Sequence, residues 1–308
     1  MTPDEFNTLA ASVSNTGRWG ADDQRGTLNL IDADSIRRGL AAVRQAMPIP
    51  LSIPLDLEGP QDGTGIPGRI NPVRTMLGIN TSTGAHPAAA AYSDDIIVMP
   101  TQAATHWDAL SHVSWKGRMY NNIPADSITA RGATRLGIDT LGPIVTRGVL
   151  LDVARHRGLD RLPGGTEVTG AMLEACAHDQ GVVMHPGDVV LVRTGHIQLF
   201  HERDIHGYHT PTPGLGVDSA VFFREAGTAA VATDTIAFEK LPSEVPEVVL
   251  PVHVLFLVEM GMPQGQNFDL EELAAASAGD GHYDFLFEGT PLAITDSTGG
   301  AMNPIALR

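Results

Sequence analysis

The chain has 308 residues, 43% of them apolar and 18% charged, the profile of a globular protein long enough to bury a core without covalent staples. With 20 Lys and Arg against 36 Asp and Glu, the net charge is −16, which repels phosphates and anionic lipid and argues against nucleic-acid and membrane-surface partners. A lone cysteine, Cys176, excludes an internal disulfide framework and favours a reducing compartment.

The N-terminus, MTPDEFNTLAASVSNTGRWG, has no basic region followed by an apolar run, so no signal peptide is expected. The longest apolar stretch, Val248 to Val258, is interrupted by Pro251 and His253, too short and too broken for a membrane span. The expectation is a cytoplasmic protein.

In chain order, ADSIRRGLAAVRQA (33–46) predicts a helix capped by Asp32 or Asp34, with Ile36, Leu40 and Val43 on one face and Pro48 and Pro50 beyond its end. Residues 59–75 are rich in Gly and Pro and predict a long loop. DIIVM (95–99) predicts a strand, as do VLLDVA (149–154) and DVVLVRTG (188–195), which are apolar and β-branched enough to be buried. Helices are expected over 167–181, ending at Gly181, and over 218–227, ending at Gly227. AAVATD (229–234) predicts a strand. PVHVLFLVEMG (251–261) fits strand or helix, its length and closing Gly261 favouring helix. LEELAAASA (270–278) predicts a helix, and YDFLF and PLAIT closing strands. Strand and helix alternate without a regular βαβ rhythm, repeat or charged linker. One mixed α/β domain spanning 1–308 is expected.

The chemistry concentrates in TQAATHWDALSHV (101–113). If that stretch is extended, Gln102, His106 and Asp108 share a face, with Ala104 leaving room between them. Asp108 and His112, four apart, meet if the chain then turns helically. Imidazole nitrogen and carboxylate oxygen converging in this way suit a divalent ion. A single His-x-Asp is otherwise common in ordinary polar cores. Trp107, on the opposite face, is expected in the core.

The run Gln-x-x-x-His-x-Asp-x-x-x-His resembles the His-x-Gly-Thr-His-x-Asp-x-x-x-His signature of the cyclase superfamily, which includes bacterial kynurenine formamidase, isatin hydrolase and a trans-dienelactone hydrolase. GRWGADDQRGTLNLI (17–31), GDVVLVRTGH (187–196), GQNFDLEELA (265–274) and PLAITDSTGGAMNPIAL (291–307) are similar to further segments of that family, so the resemblance covers nearly the whole chain. It implies a swivelling β/β/α architecture with a mixed sheet flanked by helices, and a homodimer or homotetramer. It also implies metal ligation at the positions of Gln102, His106, Asp108, His253 and Gln266, with His112 as acid/base; His253 is read in addition as a candidate catalytic donor to a tetrahedral oxyanion.

Gln102 and Gln266 depart from the family pattern. Only Asp108 remains as a carboxylate, too little negative charge to hold two dications side by side. One divalent ion is therefore expected, Mn²⁺ favoured by amide oxygens or Zn²⁺ through His106, Asp108 and His253. Loss of the metal is the alternative.

HERDIHGYHTPTPG (201–214) carries His201, His206 and His209; it is expected to be a mobile loop, with Tyr208 and His209 as candidate substrate contacts if it covers the site. His196, at the end of a predicted buried strand, is a third candidate, with an ordinary hydrogen-bonding role as its rival. Trp19 resembles the pocket-lining aromatic of the formamidases, with a core position as its rival. Cys176, mid-helix and without a basic neighbour, is read as packing. No phosphate-binding glycine motif occurs. The resulting expectation is a metal-dependent hydrolase of a small amide, ester, lactone or cyclic imide. The alternatives are a metal-free or non-catalytic relative binding a small molecule in the same pocket, and a cyclase or dehydratase.

Overall fold

The computed structural model describes residues 1–63, 65–243, 245 and 247–308. The first two helices begin as their sequences dictate. In α1 (Pro3–Val13) Thr2 and Glu5 form a reciprocal capping box, and in α2 (Ala33–Ala42) Asp32 does the same with Ser35. The second helix stops four residues short of the expected end, at Val43, which leaves the helical region.

Nine strands make one sheet, in the spatial order β1 (Pro48–Pro50), β11 (Ile305–Leu307), β9 (Asp284–Glu288), β5 (Val145–Asp152), β6 (Val189–Arg193), β7 (Ala230–Thr233), β8 (Gln264–Gln266), β4 (His106–Asp108) and β10 (Gly299–Ala301). The run from β5 to β8 is parallel, and the pairs outside it are antiparallel. The strands numbered β2 (Val73–Ser82) and β3 (Ala91–Val98) stand apart as a hairpin, paired only with each other.

Alternation along the parallel strands divides the core. Val149, Leu151, Val190, Val192 and Val231 face one apolar cluster. Leu150, Val189, Leu191, Ala230 and Ala232 face another. Helices α3 (Gly170–Asp179) and α6 (Ser219–Ala226) contribute Leu173, Cys176, Ala220 and Phe223 to the first cluster. Burial pushes the Cys176 thiol up to about 12, which keeps it an inert packing group at neutral pH. This is the mixed sheet flanked by helices expected from the sequence.

Several local expectations need correction. The 251–261 stretch is helical, but only Pro251–His253 is α; Val254–Met260 is a π-helix, closed by Gly261 in the left-handed region at φ 63°. Segment 201–214 is not simply a loop. It holds the end of α4 (Ile197–His201) and all of α5 (Ile205–His209), whose N-terminal Gly207 N–H is capped by Asp204. PLAIT is not a strand; Leu292 and Ile294 are exposed, and the pairing segment is Gly299–Ala301. DIIVM lies in β3, but in the exposed hairpin, and its partner β2 begins inside the expected loop. Among the described residues no helix is long and apolar enough to cross a membrane.

Candidate active site

Strand β4 lies between β8 and β10, so its residues acquire neighbours on both sides. Asp108 is opposite Gln264 and Gly299, Trp107 opposite Gly265 and Gly300, and His106 opposite Gln266 and Ala301. Period-2 geometry sends Trp107 to one face. There it is fully buried, packs edge-on against Phe268 and Phe287, and donates its indole N–H to Gly289 O at 2.6 Å. The other face receives His106, Asp108, Gln264 and Gln266, all buried. A polar face this deep requires every group to find a partner.

Most do, and the exceptions are informative. His106 Nδ1 lies 2.7 Å from Ala104 O. A carbonyl only accepts, so Nδ1 carries a proton, and Nε2 is the nitrogen turned toward Asp108. That Nε2 is buried without a hydrogen-bond partner, and so is Asp108 Oδ1. The two atoms face each other at 3.4 Å, both out of reach of solvent. The other carboxylate oxygen is well served: Asp108 Oδ2 accepts from Gln266 Nε2 at 2.8 Å and from Gln264 Nε2 at 3.2 Å.

His253 enters from the first turn of the α/π helix 251–260. Its Nδ1 is bonded to Glu239, a buried carboxylate that also accepts the backbone N–H groups of Val252 and His253. Glu239 thereby fixes the ring and turns Nε2 toward the cluster. It lies 3.9 Å from Asp108 Oδ2 and 3.3 Å from Gln266 Nε2. The amide of Gln266 thus hydrogen-bonds Asp108 and His253 together.

After Asp108 the chain makes one turn, closed by His112 N–H to Ala109 O at 2.9 Å. The turn brings His112 Nε2 to 3.7 Å from Asp108 Oδ1 and leaves the ring 20% exposed, the accessible end of the cluster. Gln102 does not share the His106–Asp108 face, because residues 101–105 bend instead of extending. Its Nε2 is 3.5 Å from His112 Nδ1 and 3.4 Å from Thr298 Oγ1, and its Oε1 accepts from Thr101. It approaches over Gly299, where a Cβ would fall 2.4 Å from Gln102 Nε2; glycine is what admits it.

Burial alone would push the Asp108 carboxyl up, but His112 foremost, then His106 and His253, hold it well below the usual carboxylate range. Burial lowers His112 against the attraction of Asp108, helped by the neighbouring His253, Arg69 and His106. The cluster is therefore built on an ionised carboxylate, with the His112 ring beside it biased by burial toward its neutral form. Arg69, half-buried in the loop before the hairpin, interacts electrostatically with both Asp108 and His112. Sequence reasoning missed it, together with Gln264 and Glu239.

The other candidates lie further out. Tyr208 is wholly buried and donates to Asn267 Oδ1 at 2.8 Å; Asn267 in turn donates to Ala104 O, the carbonyl that locks His106. His196 stacks on Tyr208 with ring centres 5.4 Å apart and lies 3.0 Å from Tyr208 O through Nε2. His209 Nε2 bonds Pro60 O at 2.7 Å. Tyr208 thus reaches the cluster through Asn267 and Ala104 O, His196 touches only Tyr208, and the bond of His209 runs to Pro60. Trp19 is half-buried under the Arg18 guanidinium, 4.7 Å from its ring centre, and no described hydrogen bond or ring contact joins it to the cluster.

Can these residues hold an ion? Two buried metal-capable atoms without hydrogen-bond partners, separated by 3.4 Å, match the edge of a tetrahedral site, about 3.4 Å for ligand bonds of about 2.1 Å. His106 and Asp108 therefore fit one divalent cation, with His112 or His253 the available third donor. Among the described residues no three His, Cys, Asp or Glu side chains already stand in a finished metal-binding array, so the third donor must shift to close it. On the Oδ2 side the residues do not fit a second ion, because amide N–H groups point at the acceptors that would bind it.

A family model described as "Putative cyclase" matches residues 49–240. The solved structure of a novel cyclase is 35% identical, with 97% of this chain and 99% of that chain covered at a TM-score of 0.88. Isatin hydrolase A from Labrenzia aggregata, solved bound to benzyl benzoate, is 18% identical, with 89% and 97% covered at a TM-score of 0.61. A predicted metal-dependent hydrolase from Bacillus stearothermophilus is 16% identical, with 85% and 98% covered at a TM-score of 0.52. At those last two identities the likeness is one of fold. No curated protein matches the chain. With the family model covering more than half its length and the cyclase structure aligned end to end, the chain belongs to the cyclase family.

Proposed function

We propose that this chain is a hydrolase of a small amide, ester, lactone or cyclic imide that works with one divalent metal ion, Mn²⁺ or Zn²⁺. The observation that carries the reading is the pair of buried, partnerless atoms, His106 Nε2 and Asp108 Oδ1, aimed at one point. The isatin hydrolases and metal-dependent hydrolases that share the fold are consistent with it. His106 and Asp108 would hold the ion, which when bound would supply Lewis acidity toward water and a carbonyl.

The chain's own residues account for the rest. Asp108 stays ionised at any pH near neutrality and gives the site its negative charge. Ala104 O and Glu239 fix the tautomers of His106 and His253, so that Nε2 of each faces inward. His112, neutral through burial yet reachable from solvent, takes a proton from the attacking water and returns it to the leaving group. Arg69 adds positive charge beside His112, suited to an anionic substrate group or a developing oxyanion. Stripping the protein with chelator and restoring Mn²⁺ or Zn²⁺ tests the metal role against a panel of aryl formamides and lactones. Activity that survives stripping unchanged removes it.

One observation favours a second reading. The Gln266 amide N–H groups occupy the space between Asp108 Oδ2 and His253 Nε2, closing that side of the cluster as a metal-free binding protein would. Elemental analysis combined with that substrate panel separates the two.

A further inference from the structure

The deeply set arginines of this fold come with carboxylates. Arg147 meets Asp188 at 3.1 Å and Asp284 at 3.3 Å, Arg193 meets Asp152 at 2.8 Å and Glu271 at 2.7 Å, and Arg308 meets Asp280 at 2.8 Å. Arg69 departs from that pattern. Burial lowers its pKa from the usual guanidinium value, with Asp108 opposing. Yet among the described residues no hydrogen bond or ion pair engages its guanidinium, and Asp108 attracts it without reaching ion-pair distance. Its electrostatic neighbours in the cluster are Asp108 and His112, so an uncommitted cation stands at the accessible end of the site.

The loop that carries Arg69 is held in place from several sides. Gln61 N–H donates to Asn71 Oδ1 at 2.8 Å, and Asn71 Nδ2 donates to Gln61 O at 2.9 Å. This reciprocal pair closes residues 61–71 into a ring, with Asn71 two residues from Arg69. Gln61 is buried and also donates from Nε2 to Ala103 O at 2.9 Å, inside the bend that leads to His106. Pro60 O is bonded from the other side by His209. A turn from Arg69 N–H to Ile66 O, 3.1 Å, sets the residue itself. A guanidinium fixed in this way loses hydration and gains no partner inside the chain, a cost that a bound anion would offset.

We propose that Arg69 forms a carboxylate subsite: the substrate of the proposed hydrolase, the reading on which this rests, carries a carboxylate beyond its scissile bond, and the Arg69 fork takes it. A planar guanidinium meets a carboxylate through two parallel N–H···O bonds. Placement separates this role from oxyanion stabilisation. The reacting bond belongs at the inner end, by His106 and Asp108, both wholly buried. Arg69 stands by His112, whose ring is 20% exposed, where the remainder of a substrate extends toward solvent. A chain of charge −16 offers an anion no long-range attraction, so recognition has to come from a direct contact of this kind.

Matched substrates test this: aryl formamides bearing a ring carboxylate, in ortho, meta and para forms, against the same compounds with a neutral carboxamide. The wild type should favour the carboxylate of at least one pair in kcat/KM. Arg69→Gln should lower that preference about 10–100-fold, the scale of a bidentate charge-assisted contact, and chiefly through KM; Arg69→Lys should restore part of it. A wild type without the preference, a preference that Arg69→Gln leaves intact, or a kcat loss equal for both members of a pair overturns the proposal. Should no formamide turn over, the hydrolase reading is what suffers, and binding decides the subsite separately. By ligand-observed NMR, benzoate should bind the wild type about tenfold more tightly than benzamide and lose that margin in Arg69→Gln. Equal binding of the two, or a margin that survives the substitution, contradicts the subsite.

Discussion

Two neighbouring strand regions, the hairpin Val73–Val98 and the site strand His106–Asp108, are eight residues apart and are opposites. The site strand is fully buried, flanked on both edges, and polar on one face; the hairpin is exposed, unflanked, and apolar on both faces. In each, the anomaly lies in what has been left without a partner. A buried polar atom without a partner is costly, so His106 Nε2 facing Asp108 Oδ1 points to a cation. An apolar ribbon without a cover marks a surface of a kind that usually meets another apolar surface.

The comparison is broken most severely at the site. His106→Ala or Asp108→Ala should abolish both metal binding and turnover, as measured by elemental analysis and by hydrolysis of the best substrate from the panel. Retained turnover in either variant would place the chemistry elsewhere. His112→Ala should keep the metal and lose roughly 10²–10⁴-fold in kcat, the usual scale of acid–base catalysis. Loss of metal in that variant would make His112 a ligand instead.

Gln266→Glu sharpens the contrast between the two oxygens of Asp108. It replaces a donor by a third acceptor beside Asp108 Oδ2 and His253 Nε2. In chelator the variant should lose about 3–5 kcal/mol of stability as an unpaired buried charge, and added Mn²⁺ or Zn²⁺ should restore it. Equal melting temperatures with and without the cation would show that no ion can enter there.

A smaller effect comes from further out. His196, 1% exposed, is held down to about 4 by burial, well below the ordinary imidazole value of about 6.5. The folded form keeps the ring neutral while the unfolded chain takes up a proton. Stability from this group is thus complete above pH 6.5 and falls as pH drops toward 4, by on the order of 3 kcal/mol. His196→Gln should flatten that slope in urea titrations run from pH 7 to pH 4, and an unchanged slope would assign the acid sensitivity to other groups.

Much of this was legible in the sequence. The His-x-Asp spacing gave a shared face because strands alternate, and the same rule put Trp107 opposite. Asp108 and His112 meet through one turn, as their spacing suggested. The apolar β-branched runs located the strands at 145–152 and 189–193. Gln264 was within reach of the same reasoning, since QGQ (264–266) repeats the period of two. Glu239 and Arg69 were not, because each comes from a loop far off in the sequence and no local pattern marks it. Gln102 was misplaced by assuming extended backbone through 101–105, where the chain bends. The hairpin's first strand was hidden for a physical reason: with no buried face it lacks the alternation by which strands are recognised. The five-residue helix Ile205–His209 is likewise too short to show a helical period.

The most direct test is metal stoichiometry. Protein dialysed against Mn²⁺ or Zn²⁺ and then against metal-free buffer should retain one ion per chain, and the His106→Ala and Asp108→Ala variants none. A wild-type chain that emerges with no ion, or variants that hold as much as the wild type, would contradict the account.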